Sequence, residues 1–210
     1  MALSSKALQQ KRAKKAAKRK DVRKQHSAGS KGLAATEWLL AAHAPIADVY
    51  TPERLFAEGL GSVWFSRKLE DGRYALSVFL VDTYCLGVKN AMYALMEPER
   101  YRVHLENFLS VSEEEFVPQE PATVRKLVES SIAYAKGLGL EPHADYKIAK
   151  EIFGDVVASD SDAVFAFGRD GHPFYIPGPG DSPAEQRRVI KQLERLQQDP
   201  YALLARGFND

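Results

Sequence analysis

Apolar residues along this chain keep two rhythms. In "GSVWFSRKLEDGRYALSVFLVD" (61–82) they come as two β-rich runs on either side of Asp71-Gly72, a strong short signal for a hairpin. The second run, Tyr74–Val81, loses its alternation toward its end, which predicts an interior strand covered on both faces. A second run of the same type, "AVFAFGRDGHPFYIPG" (163–178), turns at Asp170-Gly171 and predicts a second hairpin.

Elsewhere the spacing is helical. "AATEWLLAAHA" reads as a short helix stopped by Pro45, and "TPERLFAEG" as one with Thr51 as N-cap, Pro52 at the first helical position, Glu53 in the first turn and Gly59 past its end. In "EPERYRVHLENFL" Tyr101, Leu105, Phe108 and Leu109 share a side. "VSEEEFVPQE" is expected to be an acidic loop. Pro121 then opens a helix with Val124, Leu127, Val128 and Ile132 on one side and Gly137 closing it. "ADYKIAKEIFG" predicts another helix. In "DSPAEQRRVIKQLERLQ" Asp181 or Ser182 caps a helix whose apolar side is Val189, Leu193 and Leu196, and "DPYALLARG" predicts a last short one. No repeat of fixed period and no β–helix–β alternation runs through the order. The fold class expected is therefore α+β: an antiparallel sheet from two hairpins, backed by helices.

Charge changes the picture at the N-terminus. Residues 1–31 hold eleven Lys/Arg against one acid, Asp21, a net of +10. The whole chain has 29 basic and 28 acidic residues, so the remainder has 18 against 27, a net of −9. "KALQQKRAKKAAKRKDVRKQ" (6–25) is made of helix formers but has no apolar stripe, and like charges at i,i+4 such as Lys11/Lys15 and Lys14/Lys18 repel. A disordered basic arm and linker over 1–31, ahead of a single α+β domain over 32–210, is the expectation. "HSAGSKG" marks the linker. On RNA or DNA, phosphate relieves the repulsion and condensed counterions are released. Lys11, Arg12, Lys14, Lys15, Lys18, Arg19, Lys20, Arg23 and Lys24 are the expected contacts. No aromatic residue lies among them, so binding should tolerate any sequence, and no Trp, Phe or Leu face suits a membrane surface.

Composition narrows the compartment. No stretch approaches the ~20 apolar residues of a membrane span, and no apolar core follows the basic start as in a secretory signal. One cysteine, Cys85, suits a reducing compartment, so the cytoplasm is expected.

"FLVDTYCLGVKNA" (79–91) poses the main chemical question, because an apolar run stops on Asp82 before Cys85, Gly87 and Lys89. Asp82 at a strand end can hold a divalent cation with His143, Asp145 and Asp155, as in a metal-dependent phosphodiesterase or nuclease. It can equally start a turn, and no spacing links these acids as a motif, so the turn is favoured. Cys85 beside Leu86 and Val88 reads as a buried, inert thiol rather than a nucleophile. Lys89 and Asn90 make at most a weak anion site. The five histidines, His26, His43, His104, His143 and His172, form no zinc spacing. "PGPGDSP" (177–183) brings glycines to a helix entry without the P-loop pattern, and neither a Rossmann fingerprint nor a GxSxG elbow is present. No cofactor is expected.

"GLGSVWFSRKLEDGRYALSVFLVDTYCLGVKNA", "GLGLEPHADYKIAKEIFGD" and "FGRDGHPFYIPGP" resemble segments of uncharacterised bacterial proteins. The resemblance covers much of residues 50–180 and implies no activity and no catalytic residue. The arm is similar in composition to the tails of ribosome- and RNA-associated proteins. The function expected is that of an accessory protein without its own catalytic centre, whose arm contacts RNA or DNA nonspecifically and whose acidic body binds another protein. The metal-dependent enzyme built on Asp82, His143 and Asp145, and an interaction module with a solubilising tail, are the alternatives.

Overall fold

The computed structural model describes residues 35–110, 114–178 and 180–198. The basic arm, its linker and the last short helix expected in "DPYALLARG" lie outside the described residues. The elements are α1 (Ala35–Ala41), β1 (Ile46–Pro52), α2 (Leu55–Glu58), β2 (Leu60–Lys68), β3 (Tyr74–Asp82), β4 (Gly87–Met96), α3 (Pro98–Ser110), β5 (Phe116–Pro118), α4 (Pro121–Gly137), α5 (Tyr146–Ala149) and α6 (Pro183–Gln198), with 3₁₀ turns at Lys150–Phe153 and Ala158–Asp160. The fold is α+β. Its sheet is antiparallel throughout, in the order β4-β3-β2-β1-β5.

Alternation in the strands sorts side chains to two faces. Val63 and Phe65 of β2, with Ala75, Phe79 and Val81 of β3, enter one core with Val124, Leu127, Val128 and Ile132 of α4 and with Ile152 and Phe153. The intervening Trp64, Leu76, Ala94 and Met96 enter a second core, roofed by Tyr101, Leu105 and Phe108 of α3. β3 is thus an interior strand covered on both sides, as its continuous apolar run predicts.

Arg67 breaks that apolar pattern and is buried on the first face. Its Nε donates to Ile152 O (2.7 Å), Nη1 to Ala44 O (2.6 Å), and Nη2 to Phe153 O (2.8 Å) and Asp155 Oδ1 (3.1 Å). One guanidinium therefore closes the end of a 3₁₀ turn, as the donor to Ile152 O and as a second donor to Phe153 O beside the Val156 N–H. Gly154 follows with φ +51°, and a Cβ there would lie 1.9 Å from Ala42 O, so only glycine lets the chain pass.

Three expectations are corrected, and one strand forms where the sequence carried no signal for it. Residues 163–178 do not pair with the sheet. They carry an isolated bridge, Arg169–His172, and the second hairpin of the sheet is instead β3–β4. Phe165 and Phe167 pack on Phe56 and Tyr134 as an extended strap, which satisfies their apolar character without a ladder. The "TPERLFAEG" helix is only Leu55–Glu58, because Thr51 and Pro52 complete β1 and pair with Val117 and Phe116. The acidic loop contains β5. Finally, "GVKNAMYALM" is a ten-residue strand although Ala, Met and Leu favour helix, because pairing with β3 outweighs local propensity.

Candidate functional site

Asp82 closes the β3–β4 hairpin. Its carboxylate Oδ1 accepts the backbone N–H groups of Tyr84 (3.0 Å) and Cys85 (2.9 Å), so the side chain builds the turn. The residue is 4% exposed, and burial pushes its pKa up to about 6 against the opposing pull of those N–H groups and of Lys89. Gly87, φ +62°, ends the loop where a Cβ would sit 2.6 Å from Ser131 O of α4. The run stops on aspartate because a carboxylate can hold two N–H groups of a tight loop that the packed helix leaves no room to solvate.

Cys85 is fully buried beside this turn. Burial, with the Asp82 charge as a second cause, pushes its thiol up to about 12, so the thiolate is scarce near neutrality.

His143 and Asp145 do come together, on a different loop. The His143 N–H donates to Val88 O (2.9 Å), its Nδ1 accepts the Asp145 N–H (3.2 Å), and the two side chains approach to 3.8 Å. Asp155 is spent on Arg67. Among the described residues, no group of three or more His, Cys, Asp or Glu is placed to hold a metal ion. Asp82, His143 and Asp145 therefore do not form the constellation that the enzyme alternative requires.

Lys89 has a definite partner. Its ammonium, 11% exposed, donates to Asp181 Oδ2 (2.7 Å), which also accepts Tyr175 Oη (2.7 Å) and the Gly178 N–H (2.8 Å). Burial works to raise the Asp181 pKa, but these three donors together hold it below the usual carboxylate range. The glycine-rich stretch before α6 thus spends a backbone N–H on the chain's own carboxylate, where a phosphate would need it free. Ser182 is the N-cap: its Oγ accepts the Glu185 N–H (3.2 Å) and Glu185 Oε2 accepts the Ser182 N–H (2.7 Å), a reciprocal capping box. The Lys89–Asp181 pair ties α6 to the edge of the sheet.

One polar cluster has no counterpart in the sequence reading. Tyr101 Oη donates to Asp48 Oδ2 (2.6 Å), lies 2.6 Å from Ser66 Oγ and accepts Trp64 Nε1–H (3.3 Å). Burial and the Asp48 contact push the Tyr101 phenol well up. The cluster stands beside a shallow groove of about 280 Å³ between the start of β1 and Pro118–Pro121. A tyrosine on the apolar side of a helix, whose hydroxyl must find a partner when buried, was the available signal. The partners come from β1 and β2, which no local pattern connects to it.

Compared with family models, curated proteins and solved structures, the chain matches none. The nine arm cations lie outside the described residues.

Proposed function

We propose that this protein is an accessory factor that contacts RNA or DNA without sequence preference through Lys11, Arg12, Lys14, Lys15, Lys18, Arg19, Lys20, Arg23 and Lys24, while its acidic body engages a protein partner. The observation that carries the reading is charge segregation: +10 in the first 31 residues against −9 in the rest. A polybasic segment of this density binds phosphate by counterion release, and an acidic body confines that binding to the arm. The structural duties of Asp82, Cys85, Lys89 and Asp181 support a body whose sequence-marked residues serve its folding. No helix among the described residues is long and apolar enough to cross a membrane, in keeping with a cytoplasmic setting.

Titration of duplex DNA and of RNA at several salt concentrations tests the proposal. If about five cations reach phosphates on duplex DNA, log Kobs falls with log[salt] at a slope of roughly −4 to −5. Deleting residues 1–30 should abolish nearly all binding and leave the far-UV dichroism of the body unchanged. Equal affinity with and without the arm, or no binding at low salt, would overturn it.

A further inference from the structure

An open sheet has two edges, and this protein treats them differently. β5 is three residues long, ends on Pro118 and is followed by Pro121, features that blunt an edge. β4, at the other side, is ten residues long.

The hydrogen-bond register shows which groups of β4 face outward. Thr83 N–H donates to Gly59 O (2.9 Å) and Leu69 N–H to Arg73 O (2.8 Å), so the odd-numbered residues of β3 bond to β2. Its even-numbered residues bond to Asn90, Met92, Ala94 and Met96. The N–H and C=O groups of Ala91, Tyr93 and Leu95 therefore point away from the sheet. Val88, below the bulge, has its outward carbonyl taken by the His143 N–H. Above it, Ala91, Tyr93 and Leu95 make no outward backbone hydrogen bond to any described residue. The stretch from Asn90 to Met96 has no charge and no proline, and its irregularity lies before it, at the Leu80/Val81 shift.

Charge says what fits there. The uncharged heptad is bounded by Lys89 at one end and Glu97 at the other. A strand that is positive at its start and negative at its end complements itself only when antiparallel. We propose that β4 pairs with β4 of a second copy of this chain about a twofold axis at Tyr93. Tyr93 then faces its own counterpart as a hydrogen-bonded pair, Ala91 faces Leu95, and Lys89 faces Glu97 twice. Side-chain parity is kept, because these residues are all odd-numbered and Met92 opposes Ala94 on the other face. Asp181 takes one of the three ammonium donors of Lys89, which leaves donors for the partner's Glu97.

Strand pairing alone falls short of the roughly 1,200 Å² of a stable interface. α1 extends the apolar surface beside it: Trp38 packs tilted against Tyr93, ring centroids 5.2 Å apart, and the next two residues, Leu39 and Leu40, are 55% and 68% exposed. The two sheets would join as one of ten strands.

The test uses the full-length, nuclease-treated protein in sedimentation equilibrium over a micromolar concentration series. The expected species has twice the 23.4 kDa of the chain. Glu97→Lys, at an exposed position, replaces two opposite-charge contacts with two like-charge ones and should raise the dimer dissociation constant roughly tenfold. In Tyr93→Cys the paired Cα atoms stand about 5.5 Å apart, within disulfide reach, so mild oxidation should cross-link the dimer. Cys85 is buried and does not compete. A monomer throughout the series overturns the proposal. So does a dimer that neither weakens in Glu97→Lys nor cross-links in Tyr93→Cys, which would place the interface elsewhere.

Discussion

Buried charge at Asp82 and Arg67 is retained here for what it does to backbone groups. Asp82 has a folded-state pKa of about 6, above its ordinary value near 4. A carboxyl raised on folding binds its proton more tightly in the native state, so its contribution is fully present below about pH 4 and is lost as pH rises through 6. Asp82→Asn keeps a carbonyl oxygen for the two N–H groups but carries no charge to bury. The variant should gain about 2 kcal/mol relative to the parent between pH 4 and pH 8, read from urea unfolding at both ends. Parallel stability curves would show that the buried charge costs nothing. Arg67→Met should lose about 3–5 kcal/mol, since the carbonyls of Ala44 and Ile152 are left without their donor and Phe153 O keeps only the Val156 N–H. The turn role of Asp82 was the favoured reading of the sequence, and the structure supplies the two N–H groups it holds. The role of Arg67 was not legible, because it sits on an ordinary strand 85 residues from its Ile152 partner.

The elements were legible in proportion to how local their signals are. α6 begins with a capping box that the order Ser182-Pro183-Ala184-Glu185 announces, and the structure builds it. Ser182→Ala should cost about 1 kcal/mol in thermal or urea unfolding. The Asp71-Gly72 hairpin and α4 were legible for the same reason, since turn chemistry and 3.6-residue spacing act within one element. β1, β4 and β5 were not. "AMYALM" becomes a strand only because β3 presents a ladder to it, and "AVFAF" stays out of the sheet because aromatic contacts with Phe56 and Tyr134 hold it elsewhere.

Across the whole molecule, backbone bonding predicts a gradient of local stability. Hydrogen exchange should be slowest for the Leu76–Val81 amides, which lie on an interior strand between two cores. It should be fastest, among the described residues, for Val164–Phe167, whose N–H groups have no backbone acceptor among those residues and whose Val164 is 94% exposed. Comparable protection in the two segments would mean that the strap pairs with something in solution. The sequence by itself determined the α+β class, the interior strand, the helices α3, α4 and α6 and the division of charge between arm and body. Each is a matter of composition or of spacing within one element. Only the tertiary structure decided the strand order, which N–H groups Asp82 holds, the use of Arg67 as a backbone clamp, the tie of Lys89 to Asp181, and which edge of the sheet the described residues leave unpaired. Those features join residues 2 to 92 positions apart, and whether a polar side chain ends as a ligand, a cap or a clamp depends on which backbone groups folding brings within 3 Å of it.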